Sequence, residues 1–367
     1  MSKTLRRLAI PLALAMAMSA PALAQDWRKD WAETLARAKG QDLNLIVHSY
    51  EAHEAVAREF QKKFPDIRVN VTAATPSSTA PRIVSEQKNG IYNWDSWWAS
   101  TSNMNNIVLP VGGFEKLPDY FILPEVKDAA NWRRPDMLYT SERGPFILVH
   151  SYYYEATGFI NRSVVKGFTF AGVDDLVDPR LKGKIIIEEP TRPNGGSNAS
   201  AAFLKLRGSD FVTKLFADQQ PTFMTITRQI TDAVSRGDAA IAIGGNPEAV
   251  AQCWKAGGCK DVSRMSQINY VLARGVGVFK NAPHKDATKV WINWLLSREG
   301  QQTYVEMWAK TNESGAVSMR SDVAPDPRHQ ASVPDYARLD EFVSVATDSG
   351  AQYMDDVYKL YAKVRNR

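Results

Sequence analysis

Leu43-Asn-Leu-Ile-Val47, Ile67-Arg-Val-Asn-Val71 and Asn93-Trp-Asp-Ser-Trp97 are three short runs rich in branched and aromatic residues. Runs of that length bounded by polar residues read as buried strands. Between the first two, residues 54–64 place Val56, Ala57 and Phe60 on one helical face, and Pro65 closes the segment. Residues 82–88 give a second helical stretch. The order strand, helix, strand, helix, strand predicts a parallel sheet with right-handed crossovers. Each strand stops at a small polar loop: His48-Ser-Tyr-Glu51, Thr75-Pro-Ser-Ser78 and Trp98-Ala-Ser100. In an open α/β sheet such loops line the edge where ligands bind.

Candidate ligand contacts follow from these loops. Ser49, Tyr50 and Glu51 sit where strand one feeds a helix, whose first N–H groups and positive dipole end suit polar or anionic groups. A plain N-cap by Ser49 is the competing reading. Thr75, Ser77 and Ser78 form a second such junction, and Trp98 with Ser100 a third. Trp97 and Trp98 alternate across the strand, so one is expected inside and the other toward a ligand.

Outward from this segment, residues 26–39 form a polar helix with Trp27, Trp31, Leu35 and Ala38 near helical spacing. Residues 117–145 lack a period and are expected to wrap the surface. Strand-like runs follow at 146–150 and 158–161. Tyr152, Tyr153 and Tyr154 lie between them, and alternation lets at most two share a surface; Tyr152 and Tyr154 are the pair assigned to a ligand, against core packing as the alternative. A second α/β unit starts with strand 184–188 and runs through Arg192 into Asn194-Gly-Gly-Ser-Asn198. There Gly196 allows close backbone approach, and Ser197 or Asn198 can cap the next helix; a flexible surface loop is the alternative. Strand 239–243 ends at Gly244-Gly-Asn246, where Gly245 and Asn246 are further candidates. Asn246 can equally cap a helix that has Pro247 at its first position. Extended chain at 271–279 and amphipathic helices at 285–296 and 351–364 complete the pattern.

Lys3, Arg6 and Arg7 precede an apolar run over 8–20 and then Ala22-Leu-Ala24, the layout of a cleavable signal peptide, residues 1–24. The run is too short for a bilayer of roughly 30 Å. Export to the periplasm as a free soluble protein is the expectation. The chain has 45 basic and 40 acidic residues. Without the leader the balance falls to about +2, too little to imply a nucleic-acid partner. The two cysteines, Cys253 and Cys259, flank a Gly257-Gly258 pair; an oxidising compartment favours a disulfide over a metal pair with no further ligand at zinc spacing. A mature chain above 300 residues implies two domains.

Catalytic patterns are absent. There is no G-x-S-x-G elbow and no Walker A sequence, and Gly275-Val-Gly277 lacks the third glycine of a dinucleotide fingerprint. His48, Glu51, His53 and Glu54 do not have the H-E-x-x-H spacing of a metal site. No catalytic residue, metal ligand or cofactor is assigned. A secreted hydrolase using His48 or His150 is the rival class.

Several stretches resemble a known family. They are the helix and strand from Trp31 to Val47, the Phe60-Gln-Lys-Lys-Phe-Pro65 helix end, and Trp98 closing the third strand. More specific are Asp174-Asp-Leu-Val-Asp-Pro-Arg-Leu-Lys-Gly-Lys-Ile185 and the run from Trp291 to Gln301. Together they resemble type II periplasmic solute-binding proteins of ABC importers, the group that includes ferric-iron, polyamine, thiamine and aminoethylphosphonate binders. The resemblance implies two α/β lobes joined by two hinge crossovers, with lobe one at 25–148 plus 276–367 and lobe two at 149–275. It implies a monomer that captures a small polar solute between the lobes and delivers it to an inner-membrane ABC permease with its cytoplasmic ATPase. It adds Thr225, Thr227, Arg228 and Tyr270 as contacts. Ferric relatives carry a tyrosine pair after the strand matching 239–243. Gly244-Gly245 stands there instead, which disfavours iron. Arg192 and Arg228 favour a carboxylate or phosphonate and Glu51 a cationic portion, so an organic acid, zwitterion or phosphonate is expected. An iron or polyamine binder and a ligand-presenting receptor are the alternatives.

Overall fold

The structure, a computed structural model, describes residues 27–156, 158–265, 269–311, 316–327, 333–341 and 348–366. The leader at 1–24 lies outside them. The chain opens with α1 (Trp27–Ala38), β1 (Asp42–His48), α2 (Glu51–Lys63), β2 (Arg68–Ala74), α3 (Pro76–Lys88), β3 (Ser96–Ser100) and the short turn α4 (Thr101–Asn103). An irregular stretch holding α5 (Pro124–Lys127) leads to β4 (Ile147–Ala156) and β5 (Gly158–Asn161). The second unit contains β6 (Ile185–Glu188), α6 (Gly195–Thr213), β7 (Thr222–Met224), α7 (Thr227–Arg236), β8 (Ile241–Ile243), α8 (Pro247–Lys255) and β9 (Val262–Arg264). The long strand β10 (Asn269–Val278) returns, followed by α9 (Lys285–Leu296), α10 (Arg298–Thr311) and α11 (Asp348–Arg365).

Two five-stranded sheets result, ordered β2-β1-β3-β10-β4 and β7-β6-β8-β5-β9. The expected β-α-β-α-β unit is present, with β1 parallel to both β2 and β3. The third strand begins at Ser96, later than its sequence suggests. Asp95 is diverted into accepting from the backbone N–H of Asn44 at 2.7 Å and of His284 at 2.8 Å. The second unit repeats the arrangement, with β6 parallel to β7 and β8, and β5 antiparallel to β8.

Helices cover both faces of the first sheet, so its strands are apolar on both sides. Leu45, Val47 and Trp98 pack with Phe60, Trp291 and Trp308 on one face. Ile46, Trp97 and Ala99 pack with Ile83, Met104 and Phe279 on the other. Trp97 and Trp98 are therefore both fully buried, contrary to the expectation that one faces outward. The irregular stretch does more than wrap the surface: Leu117, Tyr120, Trp132 and Leu138 all enter the first core.

β4 and β10 pair antiparallel from Ile147↔Gly277 to Ala156↔Asn269, with an irregularity between Arg274 and Gly275. They carry the chain from one unit to the other, and the expected lobe boundaries fall inside them. A side chain at Gly275 would meet the Leu148 carbonyl oxygen at 2.7 Å and Thr101 Cγ2 at 2.6 Å, so only glycine lets α4 and β4 approach β10 here. The closing helix corrects the expected division at 276–367. Met354, Val357 and Tyr361 of α11 join the core of the second sheet, with Ile185, Phe203 and Ile241. An apolar face on α6 needs covering, and α11 is what covers it. Cys253 and Cys259 form the expected disulfide at the end of α8. Among the described residues no helix is long and apolar enough to cross a membrane.

Candidate functional site

The strand ends of both sheets converge on a cavity of about 210 Å³. The first unit supplies His48 and Tyr50 after β1, Thr75 and Ser77 after β2, and Ser100, Ser102 and Asn103 after β3. The second supplies Glu188, Asn194, Gly195, Asn198, Thr227 and Gly245. Tyr153 and Leu272 close it from the two crossover strands. The three polar loops read from residues 43–100 thus share one space, and the glycine loops of the second unit face them.

Six of the residues assigned to a ligand line this cavity: Tyr50, Thr75, Ser77, Ser100, Asn198 and Gly245. Thr227, which the resemblance added, lines it too. Thr75 is the N-cap of α3, although its hydroxyl is 2.9 Å from that of Ser78. Pro76 follows without an N–H, so the first N–H a ligand could reach is that of Ser77.

Others serve the framework. Trp98 donates its indole N–H to Nε2 of His150 at 2.7 Å, deep in the first core. Tyr152 is buried, with its hydroxyl on the Met137 carbonyl at 3.2 Å. The alternation of β4 has the phase opposite to that expected, and Tyr153, next to Tyr152, is the one on the cavity wall. Ser49, Glu51, Ser78 and Arg192 are exposed away from the cavity wall. Arg228 is exposed on α7 and pairs with Asp232 four residues on at 2.9 Å. The side chains of Tyr154 and Tyr270 lie outside the described residues.

The glycine loops are built around a carboxylate. Asn194, not Ser197 or Asn198, caps α6: its oxygen accepts from the Ser197 N–H at 2.8 Å, and the Ser197 hydroxyl accepts from the Asn194 N–H at 2.9 Å. Glu188, the last residue of β6, accepts from the Gly195 N–H at 3.1 Å and is held also by the N–H groups of Gly196 and Gly245. A side chain at Gly196 would sit 1.9 Å from the Glu188 carbonyl oxygen, and one at Gly244 would sit 2.6 Å from its Cβ. The close approach these glycines permit is to Glu188. Asn246 takes its structural reading, accepting from the Ala249 N–H at 3.2 Å to cap α8. Burial raises the Glu188 carboxyl above its ordinary range, against the lowering pull of those N–H groups and Arg192.

Behind the first-unit wall lies Arg274, 2% exposed. Its guanidinium carbon is 3.8 Å from the ring centres of Tyr153 and Trp308 and 5.8 Å from that of Tyr50. Burial, with this cation nearby, pushes His48 down to about 3, so the imidazole on the wall is neutral. His53 and His150 are pushed down by the same two causes.

Two amides on the wall are unsatisfied. Asn103 and Asn198 are at least nine-tenths buried, and each has a side-chain oxygen with no hydrogen-bond partner. Buried polar atoms are normally paired, so the cavity wants a polar occupant. Sequence reasoning missed Asn103, Tyr153 and Glu188. For Glu188 a signal existed: an acid ending an apolar strand, followed by one glycine pair and answered by another after the next strand. Among the described residues no group of three His, Cys, Asp or Glu side chains could hold a metal ion.

The family described as bacterial extracellular solute-binding proteins matches residues 55–333. The chain is 26% identical over 280 residues to an uncharacterized protein of Haemophilus influenzae, spanning 73% of this chain and 76% of that one. Among solved structures, iron-bound HitA from Pseudomonas aeruginosa matches with a TM-score of 0.65 at 18% identity, over 88% of this chain and 99% of that one. AfuA from Actinobacillus pleuropneumoniae, with exogenous fructose-6-phosphate bound, matches with a TM-score of 0.61 at 19% identity, over 88% and 97%. At such identities the likeness is one of fold.

Proposed function

This chain belongs to the bacterial extracellular solute-binding proteins, and on that premise we propose that it captures a small polar solute in the cavity between its two sheets. The carrying observation is the pair of buried amide oxygens, Asn103 from one unit and Asn198 from the other, both waiting for a partner. A solute that satisfies both must touch both units, which is how closure of two lobes is driven by ligand. The leader at 1–24 would take the protein to the periplasm. From there the loaded protein would deliver its solute to an inner-membrane ABC permease, working as a monomer.

An acidic group on the solute fits the first lobe. The Ser77 N–H opens α3, Thr75, Ser100 and Ser102 line the same wall, and Arg274 adds a positive field from behind. Organic acids, phosphonates and zwitterions are therefore favoured. HitA binds iron and AfuA fructose-6-phosphate on the same framework. The wall here offers His48, Tyr50, Tyr153 and Glu188 to a metal, but Glu188 is engaged by backbone N–H groups. Iron is thus the second reading.

Native mass spectrometry of the protein as purified, followed by calorimetry against organic acids, phosphonates, polyamines and ferric salts, tests this. Acids or phosphonates should bind, and Asn103→Ala and Asn198→Ala should each weaken the tightest-bound of these solutes at least tenfold. Tight binding of polyamines alone, or a complex with contacts from only one lobe, would sink the proposal.

A further inference from the structure

Glu188 is a buried carboxylate on the cavity wall, 4% exposed, at the end of β6 in the second lobe. Its placement has two effects. The carboxylate fills the cradle that the N–H groups of Gly195, Gly196 and Gly245 would otherwise offer to an anionic ligand. It also makes the second-lobe wall negative, while the opposite wall is backed by the Arg274 cation. The side-chain oxygen of Asn198, on the same wall as Glu188, has no donor. Asn103 puts an equivalent amide oxygen on the opposite wall, so the carboxylate sets the polarity: Glu188 beside an unpartnered amide oxygen calls for a group with several hydrogens and a positive charge, which an ammonium supplies.

We infer that the cleft is dipolar and takes a zwitterion in one orientation: its ammonium toward Glu188 and Asn198, its acidic group toward the Thr75–Ser77 turn and the hydroxyls of Ser100 and Ser102. This deepens the capture function above and rests on it. Glu188 is then the specificity-determining residue. It excludes a purely anionic solute from the second lobe by like-charge repulsion, and it holds the amino end of the accepted one. Glu189, the next residue, is unavailable for this role because it accepts the hydroxyl hydrogen of Tyr361 from α11.

Calorimetry with a matched set tests the inference: an aminoalkylphosphonate, the alkylphosphonate and the alkylamine of equal length, and the corresponding three compounds with a carboxylate. The wild-type protein should bind at least one zwitterion tenfold or more tighter than either of its halves. Glu188→Gln should bring the zwitterion and its amine-free acid to within about threefold. Because Glu188→Gln also disturbs the N–H cradle that shapes the loop, Asn198→Ala is the second variant. It should lose affinity for the zwitterion while changing that for the amine-free acid by less than threefold. An amine-free acid bound as tightly as its zwitterion, a preference unchanged in both variants, or no binding by any of the six compounds overturns the inference. A solute retained on the purified protein but lacking an amino group would overturn it while leaving the capture function standing.

Discussion

Arg274 and Trp308 are stacked, with the guanidinium carbon 3.8 Å from the ring centre. Tyr153 lies at the same distance, so aromatic faces flank this buried cation. Planarity is what makes this arrangement work. Arg274→Lys keeps the charge but loses the stacking, and should cost about 1–2 kcal/mol in urea unfolding. Arg274→Met should in addition raise the His48 pKa from about 3 toward its ordinary value, read by NMR titration, and weaken acidic solutes. A His48 value unmoved in the Met variant would show that burial alone sets it.

The histidine cluster predicts acid sensitivity. His48 and His150 are held at about 3, and His53 well below its ordinary value. The unfolded chain takes up protons below about pH 6.5, whereas the folded one refuses them. Stability should therefore be insensitive to these groups above pH 6.5 and fall as pH drops below it, with the contributions of His48 and His150 levelling off near pH 3. Both ring nitrogens of His53 lack a hydrogen-bond partner within an aromatic cluster of Trp98 and Trp308. His53→Phe should gain about 1 kcal/mol at neutral pH by removing that unsatisfied group, and should flatten the acid slope. Equal slopes for the two proteins in urea melts at pH 7, 5 and 4 would count against this.

The loop around Glu188 should tolerate no side chain. Gly196→Ala forces a carbon to within 1.9 Å of the Glu188 carbonyl oxygen. It should lower stability by about 2 kcal/mol or more and abolish solute binding. Gly257→Ala, where nothing lies within 4 Å, is the control; its positive φ should cost only about 1 kcal/mol and leave binding intact.

The disulfide should matter for stability and not for capture. Cys253 and Cys259 are six positions apart, and neither lines the cavity. Replacing both by serine should cost about 2 kcal/mol on the chain-entropy view of a short loop. Calorimetry should find solute affinity within a factor of two. A larger loss of affinity would mean that α8 helps to set the Gly244–Asn246 loop.

How much of this was legible follows from which forces were local. The strand-helix alternation of 43–100 is periodic, so the sheet, its polar loops and the cavity contributions of Tyr50, Thr75, Ser77 and Ser100 could be read directly. Trp98 and Tyr152 could not. Their burial comes from α10 and from residues 117–139, distant segments whose packing no local pattern records. Tyr153 was missed because the phase of β4 is fixed by its register with β10, more than a hundred residues away. Glu188 was hidden for another reason: an acid after three isoleucines looks like a strand leaving the core, and only the glycines of two other loops keep it inside.

The placement of α11 has a mechanical consequence. In a clamp whose chain crosses only along β4 and β10, the amplitude of opening is limited by the bending of one pair of strands. Here the chain is still in the first core at Leu339 and ends packed on α6 of the second. On the proposed capture between lobes, that third passage would work as a tether: it would shorten the reach of an open state, so that fewer unliganded arrangements compete with the closed one and less entropy is lost on binding. On the proposed capture, removing α11 should therefore weaken solute binding, although none of its described residues lines the cavity.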